Sequence, residues 1–374
     1  MSSNLEVVRE RIGAGRAILL VVKADAYGHG AVPVALHALR NGVSAVGVTC
    51  AAEARELRRA GIRARTVVLG PVLEDEAPDL AREDVELCLP SAELLGRVDA
   101  ALSSVERPAR VHLKIDTGMG RLGVAPEEAL GLLARIQASP RLELAGVMTH
   151  VAAPEGALAE SAHLQLAVFE RVLATARDRG LLCGRSVWVH AANSGAVLSG
   201  LLPARARHDA VRIGIAAYGI APHPGLDTCD LRPVLSVRTR VVHLRELARG
   251  APVGYGATWT AKRPSRIAIL PIGYADGVDC RLSNRGAVLV GGRRAPIVGR
   301  VSMDYTSVDV TDVPGVELGE RATLLGKDGA EQLRVEEVAD LIGTIPYEIV
   351  CSLGKRVTRT YLGGRVAKSP SLVG

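Results

Sequence analysis

Six residues supply all the lysine in a chain of 374 whose 46 basic side chains are otherwise arginine. The two differ chemically: burial can strip an amine of its proton, while a guanidinium stays charged. Lys23, in VVKADAYGHG (21–30), directly follows an apolar run. A lysine held there can lose its charge and form a Schiff base with a carbonyl. On that strand alone, a lysine reaching into water is the commoner outcome. The polar residues in comparable positions therefore decide. They are Arg121 in KIDTGMGRLG (114–123), His150 in THVAAPEG (149–156), Ser194 in HAANSG (190–195), and Arg212 in VRIGIAAYG (211–219). Tyrosines are nearly as scarce, and Tyr255 lies between two glycines in GYGATWTA (254–261). A phenol presented on such a turn transfers a proton only if its pKa falls from about 10. Otherwise it is packed against its neighbours.

The first group of segments sits at the ends of short β-branched runs. Candidate strands at Ala17–Val22, Ser44–Val48, Thr66–Leu69, Val85–Leu89, Arg110–Ile115, Leu144–Met148, Val187–His190 and Val211–Ile215 alternate with helical patterns. Ala51–Ala60 stops at Gly61, Pro126–Ala138 opens on proline, and Leu158–Arg179 stops at Gly180. That is the usual punctuation of helices. The class is α/β, and eight strand–helix units predict a (β/α)8 TIM-like barrel rather than an open sheet. Sites in such barrels form at the C-terminal strand ends, so Lys23, Arg121, His150, Ser194 and Arg212 are expected to converge. The helix start at Ser194 and the amides of Gly214 and Ile215 suit an anion. A phosphate beside an activated lysine points to pyridoxal 5′-phosphate. GMGRLG (118–123) also matches the G-x-G-x-x-G of dinucleotide sites. A tight turn that aims Arg121 into the barrel mouth explains these glycines better.

Beyond about Leu231 the helices nearly vanish. Short runs such as RIAILPIGYADG, GAVLVGG, APIVGRVSM, TSVDVTDV and RATLLG, separated by Gly and Pro, predict a mainly-β domain. One helix, Arg334–Ile342, interrupts it. Two domains follow, 1–230 and 231–374. Glu74–Asp84 reads as an acidic loop and Ser369–Gly374 as a frayed tail.

Composition excludes several classes. No stretch is long and apolar enough for a membrane helix, and AILLVV is too short and wrongly flanked for a signal peptide. The six cysteines form no CxxC pair, which argues against a zinc cluster or a disulfide framework and for a reducing, cytoplasmic setting. The net charge of +6 comes from arginines interleaved with acidic residues, with no basic run or stacking aromatics, so nucleic acid is not an expected partner.

VVKADAYGHG, DTGMGRLG, HAANS, VRIG, GYGATW, GYADG, GRVSMD and YEIVCSL occur in the order found in alanine racemases, and the chain resembles that family over nearly its whole length. The resemblance implies a head-to-tail homodimer with pyridoxal 5′-phosphate attached at Lys23. It also implies interconversion of L- and D-alanine by two bases, supplying D-alanine for peptidoglycan. Lys23 would move the α-proton on the D side and Tyr255 of the partner subunit on the L side. Arg212 would meet the pyridine nitrogen; permanently cationic, it is a poor proton donor and moderates the electron sink. His150 would support Arg212 and lie against the cofactor. Asn193 belongs to the same cofactor-binding set, and Tyr27, Ser194, Gly214, Ile215 and Tyr347 would hold the phosphate. Arg121 and the amide of the partner subunit's Met303 would receive the substrate carboxylate, and Tyr274 would narrow the entrance. Lys114 matches a lysine carbamylated in many members; an ordinary ion pair with a neighbouring carboxylate is its alternative.

The sequence departs from the family in places. Met1–Gly13 leaves room for the helix that precedes the Lys23 strand but not for the strand before it. THVAAPEG lacks the aromatic and acidic residues usual after the histidine, Tyr305 stands where glutamine is common, and Cys280 lies near Tyr274. The rival readings are a broad-spectrum or serine racemase with the same machinery, a pyridoxal-dependent decarboxylase and a single-barrel pyridoxal-binding regulatory protein. Arg212 argues against the decarboxylase, which places an acid there, and the β domain argues against the regulatory protein.

Overall fold

The eight apolar runs form eight parallel strands closed into a barrel in chain order. In the computed structural model, which describes residues 1–152, 159–182, 187–201, 208–223, 226 and 230–362, the chain divides into two units, centred on Met1–Ala217 and Arg232–Thr360. The barrel strands are β1 (Ala17–Val21), β2 (Ala45–Val48), β3 (Thr66–Pro71), β4 (Val85–Leu89), β5 (Ala109–Lys114), β6 (Leu142–Met148), β7 (Trp188–His190) and β8 (Ala210–Ile213). Register Leu19↔Ala45 starts the ring and Leu19↔Arg212 closes it. Leu19, Leu20, Leu87, Leu89 and Leu113 are fully buried, and each such side chain contributes about 1.5–3 kcal/mol through removal from water.

Helices α1 (Ser2–Ile12), α2 (Lys23–Gly28), α3 (Ala31–Arg40), α4 (Ala51–Arg59), α5 (Ala77–Arg82), α6 (Ala92–Ala101), α7 (Pro126–Ala138), α8 (Ala159–Asp178) and α9 (Ser194–Leu198) alternate with the strands. Leu5, Val8 and Ile12 of α1 are buried, and Asn4 Nδ2 donates to the Ala217 carbonyl at 3.0 Å. Two elements of this unit differ from what the sequence shows. The acidic stretch 74–84 contains α5, because Pro78 sits in the first turn, where its missing N–H costs nothing, and Ala77, Leu80 and Ala81 are buried. Within α2, Ala24–Tyr27 wind left-handed, with φ of 51–53°.

In the second unit, β9 (Val237–Arg240), β10 (His243–Leu247), β11 (Pro252–Val253), β12 (Trp259–Thr260), β13 (Ser265–Leu270), β14 (Ala287–Val290), β15 (Arg293–Pro296), β16 (Thr306–Asp309), β17 (Arg321–Asp328) and β18 (Glu331–Leu333) pair antiparallel. One sheet runs β10-β13-β16, another β15-β14-β17-β18 with β9 on β17, and β11 and β12 form a hairpin. Val253, Ile267 and Val298 form a core packed by Leu247, Trp259 and Ile269. The run APIVGRVSM is strand only through Pro296, with Ile297 bridging Val308. Beyond α10 (Val335–Ile342), a further helix, α11 (Pro346–Cys351), opens on proline. Ala153–Gly156 and Leu158 of the expected helix Leu158–Arg179, like Ser369–Gly374, lie outside the described residues. Among the described residues, no helix is long and apolar enough to cross a membrane.

Candidate active site

Lys23 stands half-buried just past the end of β1. The left-handed turn that follows it is held by two carboxylates. Glu53 accepts the amide N–H groups of Ala24 and Thr49, each at 2.7 Å, and Asp25 Oδ1 accepts that of Ala31 at 2.7 Å. The turn buries Tyr27 and carries its hydroxyl to Gly214, where a Cβ would stand 2.6 Å from the phenol oxygen. Ser194 Oγ accepts the Gly214 N–H at 3.0 Å, and Asn193 caps α9 by accepting from Ala196 at 3.0 Å. Tyr27 and Ser194 therefore both meet at Gly214, with Ile215 buried behind it.

Arg212 is buried, and burial brings its pKa down to about 10, still cationic near neutrality. Its Nη1 donates to His190 Nδ1 at 3.0 Å and to the His190 carbonyl at 2.8 Å. Its Nη2 donates to the carbonyls of Thr149 and Ala191 at 2.7 and 2.8 Å and to His150 Nδ1 at 3.1 Å. Among the described residues, only Nε of this guanidinium has no acceptor. Burial, with Arg212, Lys114, Arg121 and Lys23 nearby, holds the His150 pKa well below its ordinary value. His150 is neutral and accepts from Arg212. Asn193 Nδ2 lies 3.4 Å from its other nitrogen and donates to the Val151 carbonyl at 3.1 Å.

Lys114 ends β5, 7% exposed. Among the described residues no carboxylate pairs with it. Burial lowers its pKa, as do Arg212 and Arg121, against the raising effect of Cys88 and Asp116. Burial pushes the Cys88 thiol up to about 12. Asp116 organises the glycine turn: its carboxylate accepts the amides of Gly118 at 2.9 Å, Met119 at 2.8 Å and Arg121 at 3.1 Å. Those N–H groups face a side chain of their own turn, which takes away what a dinucleotide phosphate needs. Arg121 itself is exposed and lines a pocket of about 400 Å³ with Pro71, Leu73, Pro90 and Asp116.

The remaining candidates belong to the second unit. Tyr255 is 75% exposed on a turn with positive φ at Gly254 and Gly256. Asn284 ties that turn to GRVSMD, donating to Thr258 Oγ1 at 3.1 Å and accepting from Gly299 at 2.7 Å. Tyr274, Met303 and Tyr305 are also exposed. The Tyr274 and Ala275 amides donate to the carbonyls of Ser302 and Met303, at 3.0 and 3.1 Å. A Cβ at Gly273 would stand 2.2 Å from the Ser302 oxygen, so only glycine fits that crossing. Arg356 binds Asp276 at 2.6 Å and Asp304 at 2.7 Å, fastening the two loops. Tyr347 lies half-buried on α11.

Residues 1–222 match the alanine racemase N-terminal domain and residues 234–361 the C-terminal domain. The chain belongs to the alanine racemase family. It is 40% identical to the alanine racemase of Syntrophobacter fumaroxidans over 96% of this chain and 95% of that one. It is 43% identical to that of Sorangium cellulosum over 91% and 90%. The crystal structure of alanine racemase from Bacillus anthracis with bound L-Ala-P superposes with a TM-score of 0.87 at 36% identity, covering 95% of this chain and 91% of that one. As a member of the alanine racemase family the chain is an isomerase.

The donor set fits pyridoxal 5′-phosphate, on which this family depends. The hydroxyls of Tyr27 and Ser194 meet beside Gly214, where any larger side chain is excluded, and Arg212 Nε is left as a single buried donor. Among the described residues no cluster of His, Cys, Asp or Glu is arranged to hold a metal ion. Sequence reasoning missed Glu53, Glu86, His112, His190, Asn284 and Arg356. Its one available signal was periodicity: Glu86 and Cys88 share a face of β4, and His112 and Lys114 one of β5.

Proposed function

We propose that the chain interconverts L- and D-alanine as a homodimer, using pyridoxal 5′-phosphate and two bases on opposite faces of the substrate. The observation that carries this reading is the saturation of Arg212 Nη1 and Nη2, which leaves Nε to the cofactor's ring nitrogen. A guanidinium there holds the ring nitrogen by hydrogen bonding without protonating it. Bound at Lys23, the cofactor supplies an electron sink that acidifies the substrate's α C–H. Tyr27, Ser194, Gly214 and Ile215 hold its phosphate; His150 and Asn193 flank its ring.

Lys23 takes or returns the α-proton on the D side and Tyr255 of the partner subunit on the L side. Domain 1–230 binds the cofactor, and domain 231–374 serves the partner's site with Tyr255, Tyr274 and the Met303 amide. The exposure of Tyr255, Tyr274 and Met303 supports that division. Arg121 receives the substrate carboxylate. Lys114 carries a carbamate that orients Arg121, a reading supported by its burial without a carboxylate partner among the described residues and its lowered pKa. The protein works in the cytoplasm, and its product is D-alanine for peptidoglycan. A racemase assay over a panel of L-amino acids tests this reading: L-alanine is converted fastest, and faster turnover of L-serine, or no D-alanine, overturns it.

A further inference from the structure

TIM-type barrels are usually filled by branched apolar side chains. This one carries a polar chain from β4 to β8. Glu86 Oε2 lies 2.6 Å from His112 Nε2, His112 Nδ1 lies 2.9 Å from His190 Nε2, and His190 Nδ1 lies 3.0 Å from Arg212 Nη1. Glu86, His112 and His190 are at most 1% exposed. Gly146 of β6 makes room for the chain, since a Cβ there would stand 2.4 Å from His112 Nδ1.

The two ends set the direction. A guanidinium can only donate and an ionised carboxylate can only accept. Arg212 therefore requires Nδ1 of His190 to accept, which puts the His190 proton on Nε2. That N–H requires His112 Nδ1 to accept, which puts the His112 proton on Nε2, facing Glu86. Both imidazoles are neutral, because a second proton on either would set N–H against N–H. Their environment agrees: burial lowers both histidine pKa values. Burial pushes the Glu86 carboxyl up, but His112, Arg65 and Arg110 outweigh it and keep it below its ordinary value. Arg65 Nε and Arg110 Nη1 pair with Glu86 at 2.9 and 2.7 Å, and Arg65 also lies 3.7 Å over the Trp188 ring.

We propose that Glu86, His112 and His190 are positioning residues, a one-way hydrogen-bond relay that fixes Arg212 with its Nε–H aimed at the cofactor's ring nitrogen. The proposal rests on the reading of Arg212 as that nitrogen's partner. Neutron diffraction from deuterium-exchanged crystals of the holoenzyme tests it directly: deuterons are expected on Nε2 of His112 and His190 and on neither Nδ1. A deuteron on either Nδ1 overturns the relay. This result is read without turnover, so its failure is separable from a failure to racemise alanine. His112→Phe keeps a ring of similar size and removes both bonds. It is expected to lower kcat about ten- to a hundredfold, the factor carried by a hydrogen bond to a charged group, with KM for alanine within about twofold. It is also expected to shift the visible spectrum of bound pyridoxal phosphate. Wild-type kcat and spectrum in this variant overturn the proposal; should the variant not fold, the deuteron positions decide alone.

Discussion

The Glu53 carboxylate accepts the amide of Ala24, one residue past Lys23, at 2.7 Å, and its other oxygen accepts the amide of Thr49 at 2.7 Å. It thereby fastens the end of β2 to the start of a left-handed turn. Four non-glycine residues in that conformation cost about 1–2 kcal/mol each, so the turn persists only while its surroundings hold it. Glu53→Ala removes both acceptors. It should lower unfolding free energy by about 1–3 kcal/mol, measured by urea denaturation, and reduce cofactor occupancy, measured by visible absorbance. Full occupancy and unchanged stability would show that the turn holds itself.

Lys23 is the amine to which the cofactor is expected to attach. Purified protein should be yellow after incubation with pyridoxal phosphate, and Lys23→Ala should lose the visible band while keeping its circular dichroism. A colourless wild-type protein would remove the cofactor from this reading.

Tyr255 is 75% exposed, more than Tyr27 or Tyr274, which suits the role proposed for it at a second subunit's site. Tyr255→Ala should cut turnover of L-alanine by about 10²–10⁴, the range contributed by a positioned proton-transfer group. Bound cofactor should remain, judged by absorbance. Undiminished L-to-D turnover would take Tyr255 out of the mechanism.

The positions of the strands were legible because short apolar runs alternate with helical patterns that stop at glycine or open on proline. Lys23, His150 and Ser194 follow the ends of β1, β6 and β7, while Arg212 lies within β8. The relay was not legible, because Glu86 in VELCL looks the same facing water as facing the barrel interior, and only ring closure with His112 and His190 decides. The left-handed turn was invisible for another reason: ADAY contains no glycine, and its conformation depends on Glu53, far away in sequence. Two short helices were missed: Pro78 made α5 look like a loop, and α11, which opens on Pro346, is too short to show a period.

Lys114 offers a chemical test of its surroundings. A buried amine with lowered pKa, flanked by Arg121 and Arg212, gains an anion by reacting with carbon dioxide, and arginine cannot. Protein equilibrated with ¹³C-bicarbonate should show a carbamate carbonyl signal by NMR that is absent from Lys114→Arg. The variant should raise KM for alanine through Arg121. A wild-type spectrum without the signal would leave Lys114 as an unmodified buried amine.

His112 and His190 should make stability fall as pH is lowered. His112 and His190 are fully buried, and burial lowers both pKa values, that of His190 far below 6.5. Below about pH 6.5 the unfolded chain binds a proton at each position while the folded chain does not. Unfolding then takes up protons, so stability is full above that pH and declines as pH falls toward the folded-state values. Each histidine contributes up to about 1.4 kcal/mol per pH unit in that window. Denaturant unfolding at pH 7, 6 and 5 should show a decline steeper than one proton allows, and His112→Phe should remove one histidine's share of the slope. Stability that stays level from pH 7 to 5 would mean that the rings charge inside the barrel, against the donor directions that Arg212 and Glu86 require.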